Sequence, residues 1–340
     1  MVPVKPVTNL TELAALAGVS PGTASRALSG NGMLSAKTRE RIRRLADEHG
    51  FRLNQTARNL KLGRTNAIAV VLPLGHESAQ NISDPFFIAL IGHLADELTA
   101  RKQDLVLSKV IPVGEDWLSS IVRGGRVDGV IVIGQSNQDA ILNSVASHYR
   151  SLIVWGERQD VGQVYASVGT DNRRGGWLAT DHLLKRGRRR IAFVGTTDIP
   201  EIAARHAGYL AALAEAGIAP GPHIEAHLTA DASHEAISDF LAGAAPGLAP
   251  LDAIFAASDV IAMSAIRALN EHGFVVPDDV SVVGFDDVNL AAHTSPPLTT
   301  IRQDLAEAAR LLVDRLFARI DGAEPSSVVL PPELVVRRST

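Results

Sequence analysis

The chain has 340 residues, 46% hydrophobic and 21% charged, a formal net charge of −4 and no cysteine; the composition is globular, and at roughly 150 residues per domain the length predicts two or three domains. Without cysteine there are no disulfides, thiolate nucleophiles or cysteine zinc sites, and the 11 histidines fall into no metal-ligand spacing, so neither a metal nor a cofactor is expected. No apolar run approaches the roughly 18 residues that span a bilayer and the N-terminus carries no continuous apolar stretch, which predicts a cytoplasmic protein without membrane contact.

Charge is spread unevenly. Residues 1–66 hold eleven basic residues against four acidic ones, a net +7, which leaves the remainder at −11. A basic head on an acidic body is the pattern of a phosphate-binding module joined to one that does not touch nucleic acid. In the head, Asn9 reads as an N-cap with Glu12 three residues on to close a capping box, and Leu10, Leu13, Ala14 and Ala17 share one helical face. Gly18 ends this helix, Val19 plugs the space between helices, and Ser20 caps the next helix with Pro21 at its first position. A helix, a short turn and a second helix within about 20 residues form the unit that lays its second helix in a DNA major groove, although such a hairpin also serves plain core packing. Ser35 opens a third helix whose Ile42, Leu45 and Ala46 face the first two, and Gly50 ends it before Phe51. The following segment, LNQTARNLKLGRTN, is polar, basic and too short to hold a helix alone in water.

Beyond residue 66, short apolar runs alternate with amphipathic segments. AIAVVLP (67–73), DLVLSKV (104–110), GVIVIG (129–134), SLIVWG (151–156), RIAFVG (190–195), AIFAAS (253–258) and VSVVGF (280–285) read as strands. Segments such as Ile88 to Lys102 and Arg205 to Ala216 read as helices. The pattern predicts an α/β body of two parallel sheets, each covered on both faces and divided near Ser167 to Asp171. Ligands in such sheets sit beyond the C-terminal strand ends. No Gly-x-Gly-x-x-Gly follows a strand and no Walker loop is present, which leaves nucleotide-dependent enzymes unsupported. Asp286-Asp287 looks like a carboxylate pair for acid–base work, but adjacent residues at a strand end point to different sides, so only one can face a cleft. An enzyme is not expected.

The series AGVSPGTASRAL, SAKTRERI, and GFRLN followed by TARNL continues into Asp84-Pro85-Phe86-Phe87, Val168-Gly169-Thr170-Asp171-Asn172, Gly284-Phe285-Asp286-Asp287 and Pro297-Leu298-Thr299-Thr300-Ile301. In this collinear order, over essentially the whole chain, it resembles the LacI/GalR family of bacterial transcriptional repressors. The resemblance implies a small all-α helix-turn-helix DNA-binding head at 1–53, a hinge helix and linker at 54–66, and an effector-binding and dimerising body at 67–340. That body would consist of two subdomains of periplasmic-binding-protein type. The chain would cross between them near 167–171 and 294–300 and return for a terminal strand around Glu333 to Arg338. The implied partners are double-stranded operator DNA, a small-molecule effector that is a mono- or disaccharide, and a second copy of the chain, with tetramers left open. A rival from another class is a soluble sugar-binding protein of a transport system; the basic head and the missing signal peptide stand against it.

The resemblance also assigns residues. Because Pro21-Gly22 stands where family members often carry larger base-reading side chains, base readout is expected from Thr23 and Arg26, with Ser20 and Ser25 on phosphate or helix packing. The hinge set is Asn54, Ala57, Arg58 and Leu60, the last matching the family's apolar wedge in the minor groove. Arg205, in the pattern Arg-x-x-Gly-Tyr, and Asp286, directly after the strand VSVVGF, match the family's effector-binding arginine and aspartate. A guanidinium fork and a carboxylate that accepts two hydroxyls suit a sugar, although a surface ion pair is the alternative for Arg205. Phe86 matches the aromatic that the family presents to its ligand, core packing being the alternative. Trp155 ends a strand, with Glu157 or Arg158 close behind, and either stacks on a pyranose or is buried for its area alone. Glu201 and Ser258 occupy matching pocket positions, Asp259 is expected to cap the helix it precedes, and Asp287 to act as structural support.

Overall fold

In the computed structural model, which describes residues 7–29, 34–51, 64–74, 80–159, 161–243 and 251–340, the chain divides into two units, Met1–Thr65 and Asn66–Thr340. The first holds α1 (Leu10–Leu16), α2 (Pro21–Ser29) and α3 (Ala36–Glu48). Asn9 Oδ1 accepts from the Glu12 N–H at 2.9 Å, Ser20 Oγ from the Thr23 N–H at 3.2 Å and Ser35 Oγ from the Thr38 N–H at 3.2 Å, so each helix starts on the cap its sequence predicts. Glu12 reaches back to the Thr8 N–H and hydroxyl at 3.0 and 3.1 Å. Gly18 and Gly50 follow α1 and α3 at φ 61° and 65°, a left-handed turn that glycine takes without strain. The helices bury Leu13, Ala14, Ala17, Ala24, Ala27, Ile42 and Ala46, with Val19 and Phe51 packed against them. Arg41 donates to the Ala17 carbonyl at 2.9 Å and ties α3 to the turn between α1 and α2.

The second unit has two lobes. In the first, α4 (Pro85–Ala100), α5 (Trp117–Arg123) and α6 (Asp139–Ala146) alternate with β1 (Ala67–Pro73), β2 (Asp104–Val110), β3 (Gly129–Ile133), β4 (Leu152–Trp155) and β5 (Ala166–Thr170). The other alternates α7 (Asn172–Lys185), α8 (Pro200–Glu215), α9 (Ala230–Ala242) and α10 (Asp259–Glu271) with β6 (Ile191–Val194), β7 (His223–Ile224), β8 (Ala253–Ala256) and β9 (Ser281–Asp286). The chain continues through β10 (Thr299–Arg302), α11 (Leu305–Ile320), β11 (Val328–Leu330) and β12 (Glu333–Val335). Two six-stranded sheets result, β11-β5-β4-β3-β1-β2 and β12-β10-β9-β8-β6-β7. Among the described residues only the β10–β12 pair is antiparallel. Among the described residues no helix is long and apolar enough to cross a membrane.

Strand periodicity explains the cores. Ile68, Val70 and Leu72 of β1 pack on one face of the first sheet with Leu90, Leu94, Leu312 and Leu316, while Ala69 and Val71 pack on the other with Val130, Val132 and Leu142. Interior strands with helices on both faces therefore read as unbroken apolar runs, whereas the edge strand β2 leaves Val106 and Leu107 exposed. Phe193, Tyr209, Phe255 and Phe285 anchor the second lobe's core.

The chain passes from the first lobe to the second between β5 and α7, near the expected 167–171. The second passage is not at 294–300 but at 302–305. Thr299–Arg302 still pairs with β9, and it is α11, through Leu305, Ala308, Leu312 and Leu316, that joins the first lobe's core. A third passage separates β11, which pairs with β5, from β12, which pairs with β10. That last strand stops at Val335 rather than 338. Beyond it, the Arg338 N–H donates to the Pro297 carbonyl at 2.9 Å and Ser339 Oγ to the Val282 carbonyl at 2.6 Å, which keeps the tail on the sheet.

Candidate functional site

The C-terminal ends of β1, β3 and β4 and of β8 and β9, with the starts of α4 and α8, enclose a cavity of about 690 Å³, open solvent at its mouth included. This is the placement of a small-molecule cleft in parallel α/β folds. Phe86 and Trp155 line it from the first lobe, and Glu201, Arg205, Ser258 and Asp286 from the second. All six expected residues are thus brought to one cavity. The Phe86 and Trp155 rings stand 6.2 Å apart, tilted by 40°, and offer flat apolar surface beside the polar wall.

Arg205 is buried and held from several sides. Its Nε donates to Asn172 Oδ1 at 2.9 Å, its Nη1 donates to the Ala257 carbonyl at 2.6 Å, and Nη1 lies 3.8 Å from Asp286 Oδ1. The guanidinium carbon sits 3.7 Å from the Phe285 ring centroid, a cation–π contact that replaces hydration on one face. Local packing fixes this placement. Helices α7 and α8 approach so closely that a Cβ at Gly176 would collide with the Arg205 carbonyl oxygen, and one at Gly208 with the Arg173 carbonyl oxygen. Asp286 receives Gln303 Nε2 at 2.7 Å. Asp286 and Asp287 have φ of 120° and 55°, a backbone that costs about 1–3 kcal/mol per residue and is found at functional sites. It turns the two carboxylates apart. Asp286 faces the cavity, while Asp287 accepts from Arg302 Nε at 2.7 Å and Arg337 Nη2 at 2.6 Å.

Burial dominates the electrostatics. It works against the charge on Arg205, and the carboxylates of Asp286, Glu201 and Glu157 oppose that loss. Burial likewise raises the Asp286 carboxyl, with Arg205 pulling the other way. Glu201 is raised by burial, and so is Asp84, against the Phe86 N–H that its Oδ1 accepts at 2.9 Å. Burial lifts Glu157 to about 7, opposed by Asn172, whose Nδ2 donates to it at 2.6 Å.

One local expectation is corrected. Asp259 does not cap α10. Ser258 does, its Oγ accepting the Ile261 N–H at 3.3 Å. The Asp259 carboxylate, one residue inside the helix, is drawn to the Val288 N–H at 2.9 Å and the Thr300 hydroxyl at 2.5 Å. Arg158 is exposed and not among the cavity-lining residues. Sequence reasoning also missed Asp84, Gln80 and Ser136 in the lining, and Asn172 and Gln303 behind it. Asp84 carried a usable signal, an N-cap residue before Pro85 at the start of α4. Asn172, the first helical residue after the crossing strand β5, carried a weaker one.

On the head, α2 turns Ala24 and Ala27 inward and leaves Arg26 exposed. Thr23 and Ser25 are half-buried, and the Thr23 hydroxyl lies 2.9 Å from Ser20 Oγ. Asn54, Ala57, Arg58 and Leu60 lie outside the described residues.

A three-helix basic unit joined to two parallel α/β lobes around a cleft defines a class of ligand-responsive DNA-binding proteins. Residues 9–54 match the family described as bacterial regulatory proteins, lacI family, and residues 180–340 match the periplasmic binding protein-like domain. The chain is 33% identical over 339 residues to the HTH-type transcriptional regulator CelR of Thermobifida fusca, covering 97% of each chain. Among solved structures it resembles a transcriptional regulator CelR–cellobiose complex (TM-score 0.70, 31% identity, 98% of this chain and 100% of that one). It also resembles the lac repressor dimer bound to operator and the anti-inducer ONPF (TM-score 0.84, 27% identity, 98% and 99%). The chain belongs to the lacI family of helix-turn-helix transcriptional regulators.

Proposed function

We propose that this regulator is a repressor whose hold on operator DNA is set by a sugar in the cleft between its lobes. The observation that carries this reading is the cavity itself, which gathers Phe86, Trp155, Glu201, Arg205, Ser258 and Asp286 at the facing strand ends of a body joined to a helix-turn-helix head. Residues 1–53 form the DNA-binding domain, 54–66 the link and 67–340 the effector domain. Thr23 and Arg26 read bases, with Ser20 and Ser25 on phosphate or packing, and Asn54, Ala57, Arg58 and Leu60 complete the DNA contacts on family resemblance alone. The chain acts as a homodimer in the cytoplasm. In support of the dimer, the edge strand β2 exposes Val106 and Leu107, and Ile88 on α4 and Ile111 just past β2 are 53% exposed, apolar surface that a second copy would cover. A sugar moves such an equilibrium only by the difference in its affinity for the two arrangements of the lobes. The test is operator binding, followed by fluorescence anisotropy, during titration with mono- and disaccharides. Release by one of them, and not by the rest, is expected. Operator affinity indifferent to every sugar would overturn the proposal.

A further inference from the structure

We propose a second ligand site, remote from the cleft and independent of how the cleft is read: a cavity at the N-terminal ends of β4, β5 and β11 that takes a phosphate group, free or as the monoester of a small metabolite, in the guanidinium fork of Arg319. These strands run parallel, so their starts form the end of the first sheet opposite the cleft. Arg319 stands in the last turn of α11, Arg150 just before β4, and Glu324 and Ser327 before β11. All four line the cavity, with Val164 and Pro325 as apolar wall.

Arg319 sets this cavity apart from an ordinary surface groove. Only 9% of the residue is exposed. Its Nε donates to the Arg150 carbonyl, which fixes the guanidinium plane, and among the described residues no acceptor takes the hydrogens of Nη1 and Nη2. A guanidinium that leaves water is ordinarily paired or fully hydrogen-bonded. Here its two terminal nitrogens remain free side by side, the fork that grips two oxygens of an anion.

Charge points the same way. Two arginines face one carboxylate, Glu324, which lies 3.3 Å from Arg150 Nη2 with both side chains largely exposed. Such a pair contributes little and yields to a stronger anion. The carbonyl end of α11 adds only about half a negative charge, so the lining stays net positive. Burial works against the charge on Arg319, Glu324 supports it and Arg150 opposes it; a bound anion would relieve both penalties. Ser327 favours phosphate over a carboxylate. Its Oγ accepts the Ser167 N–H at 3.0 Å and keeps its own proton to donate. Arg319, Arg150 and Ser327 thus offer donors to three oxygens, as many as a phosphate monoester presents and one more than a carboxylate has.

The experiment is calorimetric titration of the full chain with inorganic phosphate, glycerol 3-phosphate and glycerol. One or both phosphates should bind and glycerol should not, and the tighter of the two phosphates tells the free ion from the monoester. Arg319→Lys keeps the charge and loses the fork, while Arg150→Ala changes a side chain that is 68% exposed and leaves the fold intact. Each should weaken phosphate binding about tenfold or more. Should Arg319→Lys fail to fold, Arg150→Ala and Ser327→Ala decide the matter. A chain that binds neither phosphate overturns the site, and so does phosphate binding that persists unchanged in Arg150→Ala, which would place the ion elsewhere, on the basic head for instance. Either result leaves the reading of the cleft to its own sugar titration.

Discussion

Arg205 and Asp286 face each other at 3.8 Å with little solvent, where removing one partner of a buried pair costs far more than trimming a surface ion pair. Asp286→Asn keeps the shape and still accepts from Gln303. It should therefore leave the body folded and the operator bound, yet lose about 1.5–3 kcal/mol of effector affinity by calorimetry, the worth of a hydrogen bond to a charged group. On the head, the exposed Arg26 of α2 is proposed to read guanine through two bonds. Arg26→Ala should cost about 1–3 kcal/mol at one base pair and little on random DNA; equal losses on both would assign it to phosphate. Glu157 yields a pH dependence. Its carboxyl rises from 4.5 to about 7 in the folded chain, so the stability it contributes is complete below pH 4.5 and is lost as pH rises through 7. Glu157→Gln should raise stability by about 1–2 kcal/mol at pH 8 and change it little at pH 4, measured by denaturant titration. Asp286 at the end of β9 and Arg205 within α8 were legible in the sequence through the family resemblance, and both line the cavity. Gln303 was not, and Asn172 only faintly by its place directly after β5, because each acts by touching Asp286 or Arg205. Asp259 was misread because two capping residues stand side by side and only the fold brings Val288 and Thr300 to the second.

The pairing of α7 with α8 is what places Arg205, and it depends on backbones touching at Gly176 and Gly208. Gly208→Ala should force the helices apart, lower stability by about 1–3 kcal/mol and weaken effector binding together; thermal melts and calorimetry on the same variant would show it. An unchanged melting temperature would mean that the helices yield more easily than their spacing implies. The interior strands were legible because helices on both faces make them continuous apolar runs. The second crossing was misplaced by a few residues for a different reason. Which sheet a strand joins is decided by its neighbour in space, here β9 beside Thr299–Arg302, and nothing local to 294–300 records that neighbour. The two-residue β7 is equally silent, since so short a strand exists only by pairing with Phe193 and Val194.

At the scale of the molecule, the exposed apolar residues of the edge strand β2 bear on assembly. Val106→Asp with Leu107→Asp places charge at an edge already open to solvent, so the fold should survive while sedimentation shifts from dimer to monomer and operator affinity falls with it. A dimer that withstands both changes would move the interface elsewhere. The deeper issue is the link between the cleft and the head. If a sugar in the cleft weakens operator binding, thermodynamic linkage requires that operator weaken sugar binding by the same factor. The most direct measurement is therefore calorimetry of the releasing sugar against the full chain, free and saturated with operator, compared with the operator affinity measured with and without that sugar. The two ratios should agree within error. A sugar affinity unchanged by operator, beside an operator affinity that the sugar changes, would show that the release does not come from occupancy of this cleft.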